Sequence, residues 1–193
     1  LTVRDSRSVP MVKDVSLDVR AGEIVGVAGV AGNGQSELLQ AIAGIRRAET
    51  GDVKLNGKPI DVTGTADPNE LRHRGLAHVP EDRHHMGLVL KFEEAENSIL
   101  GYHDDPRYLK SFFLDVDAIR ADAAEKCERY DIRPPDVRLK TANFSGGNQQ
   151  KIVLAREMER DPDVIIIGQP TRGVDVGAIE FIHKRIIEMR DAG

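Results

Sequence analysis

The run from Asn143 to Lys151, Asn-Phe-Ser-Gly-Gly-Asn-Gln-Gln-Lys, constrains the fold of this chain more than any other stretch. Its glycine pair lets the backbone turn closely, and the apolar, helix-forming run Ile152 to Ala155 follows. Ser145 is a natural N-cap, so the pattern predicts a helix whose first backbone N–H groups have no acceptor within the helix. Such a helix start carries partial positive charge and binds phosphate readily. Ser-Gly-Gly by itself is more typical of an ordinary capped helix, so the interpretation depends on companion motifs elsewhere in the chain.

A second glycine-rich stretch has the spacing of a phosphate-binding loop, G-x-x-x-x-G-K-[ST]. In such loops the glycines turn backbone N–H groups toward phosphate, the lysine neutralises charge, and the Ser or Thr holds magnesium. Here Ser36 occupies the magnesium position, whereas Gln35 stands where the lysine is expected. A plain glycine-rich turn is the alternative. The predicted nucleotide-binding residues of this loop are Gly29, Gly32, Asn33, Gly34, Gln35, Ser36 and Glu37.

The missing lysine has a definite consequence for affinity. An amide in place of an ammonium group loses charge-assisted hydrogen bonds to phosphate, ~1.5–3 kcal/mol, which weakens nucleotide binding by roughly 10- to 150-fold. Glu37 adds to this effect because its carboxylate, in the first helical turn, stabilises the helix end that phosphate would otherwise occupy. The loop is therefore predicted to keep its shape and to lose most of its affinity.

Apolar patterning predicts the strands and helices around these motifs. We expect two strands of an antiparallel sheet at Leu1 to Arg4 and Val15 to Val19, and a hairpin from Asp52 to Ile60 that turns at Asn56-Gly57. Further strands are expected at Ile24 to Ala28 and Leu76 to Val79. The run Val164 to Ile167 is expected to form a strand that is buried on both faces. Four helices are expected from their apolar stripes. The stripe residues are Leu38, Leu39 and Ile42 in the first, Val116, Ile119, Ala123, Cys127 and Tyr130 in the second, Leu154, Ala155 and Met158 in the third, and Ile179, Ile182, Ile186 and Met189 in the fourth. Gly44 is expected to end the first helix, and the third is expected to have a polar opposite side. Strand, glycine loop, helix, helical insertion and buried strand is the order of an α/β nucleotide-binding domain.

Composition excludes several classes of protein. The net charge of -5 argues against general nucleic-acid binding. Cys127 is the only cysteine, which excludes a disulfide framework, and it is predicted to be a small buried side chain in a helix. No apolar run approaches the ~18 residues of a membrane span. Because the chain begins at Leu1 and stops just after a helix, we expect a domain cut from a longer protein.

Four stretches now stand in one order: the glycine loop, Pro80-Glu81-Asp82-Arg83, the signature run Phe144 to Lys151, and Ile167 to Asp175. Together they cover the chain from end to end, and they resemble one half of an ATP-binding cassette (ABC) transporter ATPase. Pro-Glu-Asp-Arg and the stretch Pro170 to Gly177 are similar to the second, C-terminal cassette of fused bacterial carbohydrate-uptake ATPases. The glycine-loop and Gly-Gln-Pro-Thr-Arg-Gly variants resemble the nucleoside-uptake branch more than the ribose or galactose branch.

The resemblance implies an α/β fold of the P-loop NTPase class: a RecA-like core with an N-terminal antiparallel β subdomain and an inserted helical subdomain. Residues 1–193 would be a single nucleotide-binding domain, with 1–90 and 152–193 as the β subdomain and core and 91–151 as the helical subdomain with the signature. The resemblance also implies ATP and Mg²⁺ as cofactors.

Site roles carry over by the same resemblance. Glu81 would occupy the position that senses the γ-phosphate and touches the membrane subunit, and Asp175 the loop that meets a partner cassette. A functional cassette has Asp-Glu after the strand that corresponds to Val164–Ile167, whereas this chain has Gly168-Gln169. Gln169 can orient a water but cannot take its proton, and loss of a general base typically costs ~10²- to 10⁴-fold in rate. The signature residues that would contact the partner's ATP are Ser145, Gly146, Gly147, Asn148 and Gln149.

Two other features of the family are missing. No aromatic residue stands near Arg7–Pro10, where such domains stack adenine, and the switch histidine would lie after the chain ends. His84-His85 is not that histidine, and this pair is expected to be solvated.

An intact signature beside a damaged glycine loop suggests a division of labour, in which this domain completes the productive ATP site of its partner. The implied partners are an N-terminal cassette of the same polypeptide, transmembrane permease subunits and, indirectly, a solute-binding protein, at the cytoplasmic face of the bacterial inner membrane. A non-hydrolysing structural or regulatory pseudo-ATPase domain is the alternative. A soluble ABC protein of DNA repair or translation fits the acidic net charge less well.

Overall fold

The computed structural model describes residues 1–64 and 66–192 of the chain. The strands within these residues are β1 Val3–Arg4, β2 Pro10–Val12, β3 Val53–Leu55, β4 Lys58–Ile60, β5 Leu76–Val79, β6 Leu109–Lys110, β7 Phe113–Leu114 and β8 Val164–Ile167. The α-helices are α1 Gln35–Ile42, α2 Pro68–His73, α3 Glu94–Ser98, α4 Val116–Arg129, α5 Gly146–Met158 and α6 Val176–Ala192. A π-helical turn covers Arg83–Gly87, and 3₁₀ turns cover Pro106–Tyr108 and Thr141–Asn143.

The chain forms two compact units, each assembled from separated segments. The first unit comprises Leu1–His78, Pro162–Gly168 and Ile186–Gly193, and the second comprises Val79–Asp161 and Gln169–Arg185. All of the predicted helical insertion, 91–151, belongs to the second unit.

The first unit contains two short antiparallel pairs, helices α1 and α2, strand β8 and most of strand β5. Strands β1 and β2 pair through Val3 and Val12, and β3 and β4 pair through Val53 and Ile60. The predicted β3–β4 hairpin is confirmed, and its turn places Asn56 and Gly57 at φ 51° and 73°, the left-handed conformation that Asn-Gly adopts most readily. The buried core of this unit consists of Val3, Val12, Leu38, Ala41, Ala43, Ala48, Leu55, Ile60, Val62, Leu71, Leu76 and Ile166.

Two predicted strands of this unit are wrong. Val15 to Val19 and Ile24 to Ala28 form no strand, and the side chains of Ile24 and Val27 are 50% and 48% exposed. Among residues 1–64 and 66–192, strand β8 pairs with β5 alone. Strand β8 is also less buried than predicted, since Ile166 is buried and its other three residues are partly exposed. A β-branched run favours a strand, but it becomes one only where a neighbouring strand receives its backbone hydrogen bonds.

Helices α3, α4 and α5 pack together in the second unit. The predicted stripe on α4 is confirmed, since Ile119, Ala123 and Cys127 are buried, although Val116 is exposed. A cluster of buried side chains fills the space between these helices and consists of Ala95, Ile99, Tyr108, Ile119 and Ala123. No helix among the described residues has the length and apolar character needed to cross a membrane.

The hairpin β6–β7 was not predicted from the sequence, which favours helices throughout this segment. Leu109 pairs with Leu114 and Lys110 with Phe113 across a two-residue turn that places Ser111 at φ 61°. Strands of two residues are too short to show a period-2 pattern, which explains why the patterning gave no signal.

The side of helix α5 opposite its apolar stripe is polar, as predicted, and it is buried as well. Its buried polar residues are Gln149, Gln150, Lys151, Arg156 and Glu157. The Nη1 atom of Arg156 donates to the carbonyl oxygen of Gly87 over 2.7 Å, and the Tyr102 hydroxyl donates to Glu157 over 2.6 Å. Because most buried polar groups in proteins are hydrogen-bonded, these contacts favour one axial position of α5 and therefore of its first turn.

Candidate functional site

The start of helix α5 has the predicted capping geometry. Ser145 is the N-cap, with φ −61° and ψ 158°, and its Oγ atom accepts hydrogen bonds from the backbone N of Asn148 over 3.3 Å and from its side-chain Nδ2 over 3.0 Å. The Oδ1 atom of Asn148 accepts from the backbone N of Arg133 over 2.9 Å. The remaining first-turn N–H groups belong to Gly146 and Gly147, where an α-helix has no internal acceptor.

Both glycines of the signature are required by close contacts. A Cβ atom on Gly146 would lie 2.7 Å from the carbonyl oxygen of Gly173, and one on Gly147 would lie 2.8 Å from Oδ2 of Asp175. The other carboxylate oxygen of Asp175 accepts from the backbone N of Ala178 over 2.9 Å, which caps the start of α6. The structure thus brings the predicted residue Asp175 against the predicted signature glycines.

Glu81 and Gln169, the other two predicted residues of the second unit, contact each other directly. The Nε2 atom of Gln169 donates to Oε1 of Glu81 over 2.6 Å, and Nη1 of Arg172 donates to the same oxygen over 3.3 Å. Gln169 has φ 42°, a left-handed conformation that turns its amide toward Glu81. The polar ends of both side chains are therefore engaged with neighbouring residues of the same unit.

The segment that follows Glu81 is also ordered by hydrogen bonds. Asp82 caps the π-helical turn, because its Oδ1 atom accepts from the backbone N of His84 over 3.0 Å and of His85 over 3.1 Å. Both hydrogen bonds lower the pKa of Asp82, and the bond from His85 has the larger effect. Arg83 donates from Nη1 to the carbonyl oxygen of Arg172 over 2.8 Å and from Nη2 to that of Gly173 over 3.3 Å.

His84 and His85 are both exposed, as expected of a solvated pair, but His84 also makes a side-chain contact. Its Nε2 atom hydrogen-bonds Oε1 of Gln149 over 2.7 Å, and Gln149 in turn donates from Nε2 to the carbonyl oxygen of Thr141 over 3.0 Å. Arg83, His84 and Arg172 were not among the predicted site residues. The available signal was their position: Arg83 and Arg172 lie inside the Pro-Glu-Asp-Arg and Pro-Thr-Arg-Gly motifs, and His84 follows the first of these directly.

The glycine loop belongs to the first unit, and two of its glycines have left-handed backbone conformations. Gly32 and Gly34 have φ 87° and 98°, and the backbone N of Asn33 donates to the carbonyl oxygen of Val30 over 3.2 Å. Helix α1 then begins at Gln35, with Ser36 as its second residue and Glu37 in its first turn.

Gln35 folds back over the loop instead of extending from it. Its Nε2 atom donates to the carbonyl oxygen of Val30 over 3.2 Å, and a Cβ atom on Gly29 would lie 1.9 Å from the same nitrogen. The side chain therefore covers the backbone that would approach a phosphate in a loop of this type, and it brings no positive charge. This loop does not fit a triphosphate well.

A resident metal site built from side chains is not found in the part of the chain that the structure describes, where no group of three or more His, Cys, Asp or Glu residues is placed to hold a cation. The start of α5 differs from the glycine loop, because its glycine N–H groups and its exposed N-cap suit a phosphate oxygen brought by another molecule.

Comparisons with known proteins agree with this geometry. The family profile described as ABC transporter matches residues 12–172. The chain is 49% identical over 193 residues to the nucleoside import ATP-binding protein NupA of Lactococcus lactis, and 47% identical over 193 residues to the guanosine import ATP-binding protein NupO of Bacillus subtilis. The alignments cover 100% of this chain but only 38% and 37% of those relatives.

Among solved structures, the dimeric post-hydrolysis state of the ATP-binding cassette MJ0796 bound to ADP and Pi superposes with a TM-score of 0.81 and 22% identity, over 99% of this chain and 80% of that one. This likeness confirms the α/β fold of the ABC ATPase cassettes. Because the family profile spans most of the sequence and the fold agrees with it, the chain belongs to the ABC transporter family.

Proposed function

We propose that this chain is the ATP-binding domain of an importer for nucleosides or sugars, and that its signature helix completes the ATP site of a partner cassette. The observation that carries the proposal is the contrast between its two phosphate-binding elements. The start of α5 is capped by Ser145 and has no side chain of its own at Gly146 and Gly147, whereas Gln35 folds over the glycine loop.

The signature would act by electrostatics and position alone. The N–H groups of Gly146 and Gly147, at the positive end of α5, would stabilise the γ-phosphate of an ATP bound by the partner's glycine loop. ATP, with Mg²⁺, would supply the phosphoryl group whose hydrolysis provides the energy for transport. The chain's own residues hold the helix start rigid, since α5 is buried along its length and Asn148 bonds back to Ser145.

The chain's own glycine loop and its Gln169 position are each proposed to contribute little to ATP hydrolysis. Gln35 replaces the charged residue of the loop, and Gln169 replaces a general base. Since Gln169 donates to Glu81, its amide is engaged in a protein contact and cannot take a proton from water.

The transported solute and the partners are inferred from the relatives. The names of NupA and NupO point to a nucleoside, and other relatives are named as ribose or glucose import proteins, so a sugar is the second candidate. We propose that the full protein fuses this domain to an N-terminal cassette, and that it acts on permease subunits at the cytoplasmic face of the bacterial inner membrane. A solute-binding protein would deliver the substrate. The segment that begins with Glu81 is the proposed contact with the permease.

Substitution of Ser145 in the full-length protein, assembled with its permease, tests the proposal. Ser145→Ala removes the N-cap oxygen and is expected to lower ATP turnover at least about tenfold, while Ser16→Ala, an exposed serine of the first unit, leaves turnover unchanged. Undiminished turnover in Ser145→Ala would rule out a role of this helix at the partner site.

A pseudo-ATPase domain that never contributes to hydrolysis is the second candidate, and the covered glycine loop is the observation that favours it. The two candidates differ in their response to the same substitution. A regulatory domain without a role at the partner site would tolerate Ser145→Ala, whereas a domain that completes the site would not.

A further inference from the structure

We propose that Arg83 is a positioning residue, which holds the segment after Glu81, the turn at Gly173 and the start of the signature helix in one fixed arrangement. The inference rests on the proposed function, because the signature helix must contribute to ATP turnover for its position to matter.

The guanidinium of Arg83 joins two chain segments through two hydrogen bonds. Its Nη1 donates to the carbonyl oxygen of Arg172 over 2.8 Å, and its Nη2 to that of Gly173 over 3.3 Å. Both acceptors are consecutive carbonyls, and Gly173 has φ 66°, so the backbone turns there in the left-handed conformation. A planar fork with two donors matches this pair, whereas the single ammonium of a lysine does not.

The same guanidinium lies against the first residue of α5. A Cβ atom on Gly146 would be 2.8 Å from Nη2 of Arg83 and 2.7 Å from the carbonyl oxygen of Gly173. The three groups therefore meet without room for one additional methyl group. Because interiors packed this closely transmit strain, a shift of Arg83 would shift the start of the helix.

The surroundings of Arg83 do not favour the stability of the fold. Its Nε atom is buried and has no hydrogen-bond partner among the described residues, and desolvation lowers the pKa of its guanidinium. An unsatisfied buried donor of this kind is destabilising. The residue is therefore better explained by its position than by a contribution to folding.

Neighbouring hydrogen bonds hold the segment 81–84 in place on both sides of Arg83. Asp82 caps the turn that follows, and His84 hydrogen-bonds Gln149 on the first turns of α5. On the other side, Glu81 is held by Gln169 and Arg172. A displacement of the segment 81–84 by a permease would consequently reach the signature helix instead of being absorbed locally.

The test uses the full-length protein assembled with its permease and compares Arg83→Ala, Arg83→Lys and the control Arg107→Ala. Arg107 is exposed and pairs with Asp105, away from the signature. In the proposed function the partner's loop binds ATP, so Arg83→Ala is expected to lower kcat about tenfold or more and to leave KM for ATP within about twofold. Arg83→Lys is expected to recover less than half of the loss, because it keeps the charge but not the fork. The control is expected to retain both constants.

Two outcomes would overturn the inference: a kcat for Arg83→Ala within about twofold of the unmodified protein, or a full recovery in Arg83→Lys. Ser145→Ala, measured alongside, separates the two proposals. If kcat falls in Ser145→Ala but not in Arg83→Ala, only the positioning role of Arg83 is contradicted. If Arg83→Ala does not fold, Arg83→Lys gives the decision, because it keeps the charge and removes only the planar fork. A normal kcat in Arg83→Lys would then reject the inference.

Discussion

The side-chain amide of Gln169 donates a hydrogen bond of 2.6 Å to the carboxylate of Glu81, across 88 residues of sequence. These are the two positions at which the family resemblance implies a water-polarising base and a phosphate sensor. In this chain the two side chains satisfy each other, with Arg172 as a second donor to Glu81. The polar ends of this pair are therefore satisfied within the second unit.

Restoring the carboxylate at Gln169 is predicted to destabilise the domain. Gln169→Glu would bring two carboxylates to hydrogen-bond distance and remove the amide donor, at a cost of about 1–2 kcal/mol at pH 7.5. Urea unfolding measures the difference. The exchanged pair Glu81→Gln with Gln169→Glu is the matched control, since it restores one amide and one carboxylate and is expected to recover most of the stability. Equal losses in the single and double variants would contradict the contact.

A lysine in place of Gln35 is predicted to strengthen nucleotide binding at the glycine loop. Gln35→Lys adds charge-assisted hydrogen bonds to phosphate and should raise ATP affinity roughly tenfold or more. Isothermal titration with ATP and Mg²⁺ gives the measurement. Gln35→Met is the control of similar length, because it removes the hydrogen bond to Val30 without adding charge and is expected to gain far less. Similar gains in both variants would show that the amide only blocks the loop.

The carboxyl of Glu94 is predicted to make the domain less stable as pH rises toward and above neutrality. Burial raises the pKa of Glu94 to about 7, against smaller opposing effects of Ser98 and Lys126. The side chain is completely buried, and Ser98 Oγ donates to it over 2.6 Å. Since the folded state binds this proton more tightly than the unfolded state, its stabilisation is fully present below about pH 4.5 and is lost as pH rises through about 7.

Urea unfolding between pH 5 and pH 8 measures this dependence. The full difference corresponds to ~3 kcal/mol, at 1.36 kcal/mol for each pKa unit. Glu94→Gln should remove most of the dependence because it keeps a neutral side chain of the same size. The exposed Glu125, changed to Gln, serves as the control and should keep it. An unchanged pH dependence in Glu94→Gln would refute the assignment.

Cys127 is predicted to resist alkylation in the folded protein. It is buried in α4, and burial raises the pKa of its thiol to about 12. The reactive thiolate is then rarer by about 10³-fold than in an ordinary cysteine, and access is restricted as well. Mass spectrometry after treatment with iodoacetamide at pH 8 gives the measurement, and the same protein in urea is the control. Rapid labelling without urea would mean that the helices around Cys127 open readily.

Local features of the fold were predicted well. The β3–β4 hairpin, the strand β5, the apolar stripe of α4 and the Ser145 cap each depend on residues close in sequence, through turn chemistry or helical spacing. The strand predicted at Ile24 to Ala28 failed because strand formation depends on a distant partner. The burial of the polar side of α5 could not be predicted either, since Gly87 and Tyr102, which bond Arg156 and Glu157, lie 69 and 55 residues away in sequence.

The sequence by itself determined which motifs the chain carries, their order, and the missing charges at Gln35, Gly168 and Gln169. Only the tertiary structure decided that Gln169 bonds Glu81, that Gln35 folds over Gly29, and that Arg83 joins Arg172 and Gly173. Motifs are properties of neighbouring residues, whereas contacts such as those of Arg83, made across 89 and 90 residues, exist only after packing has brought distant segments together and fixed their side chains.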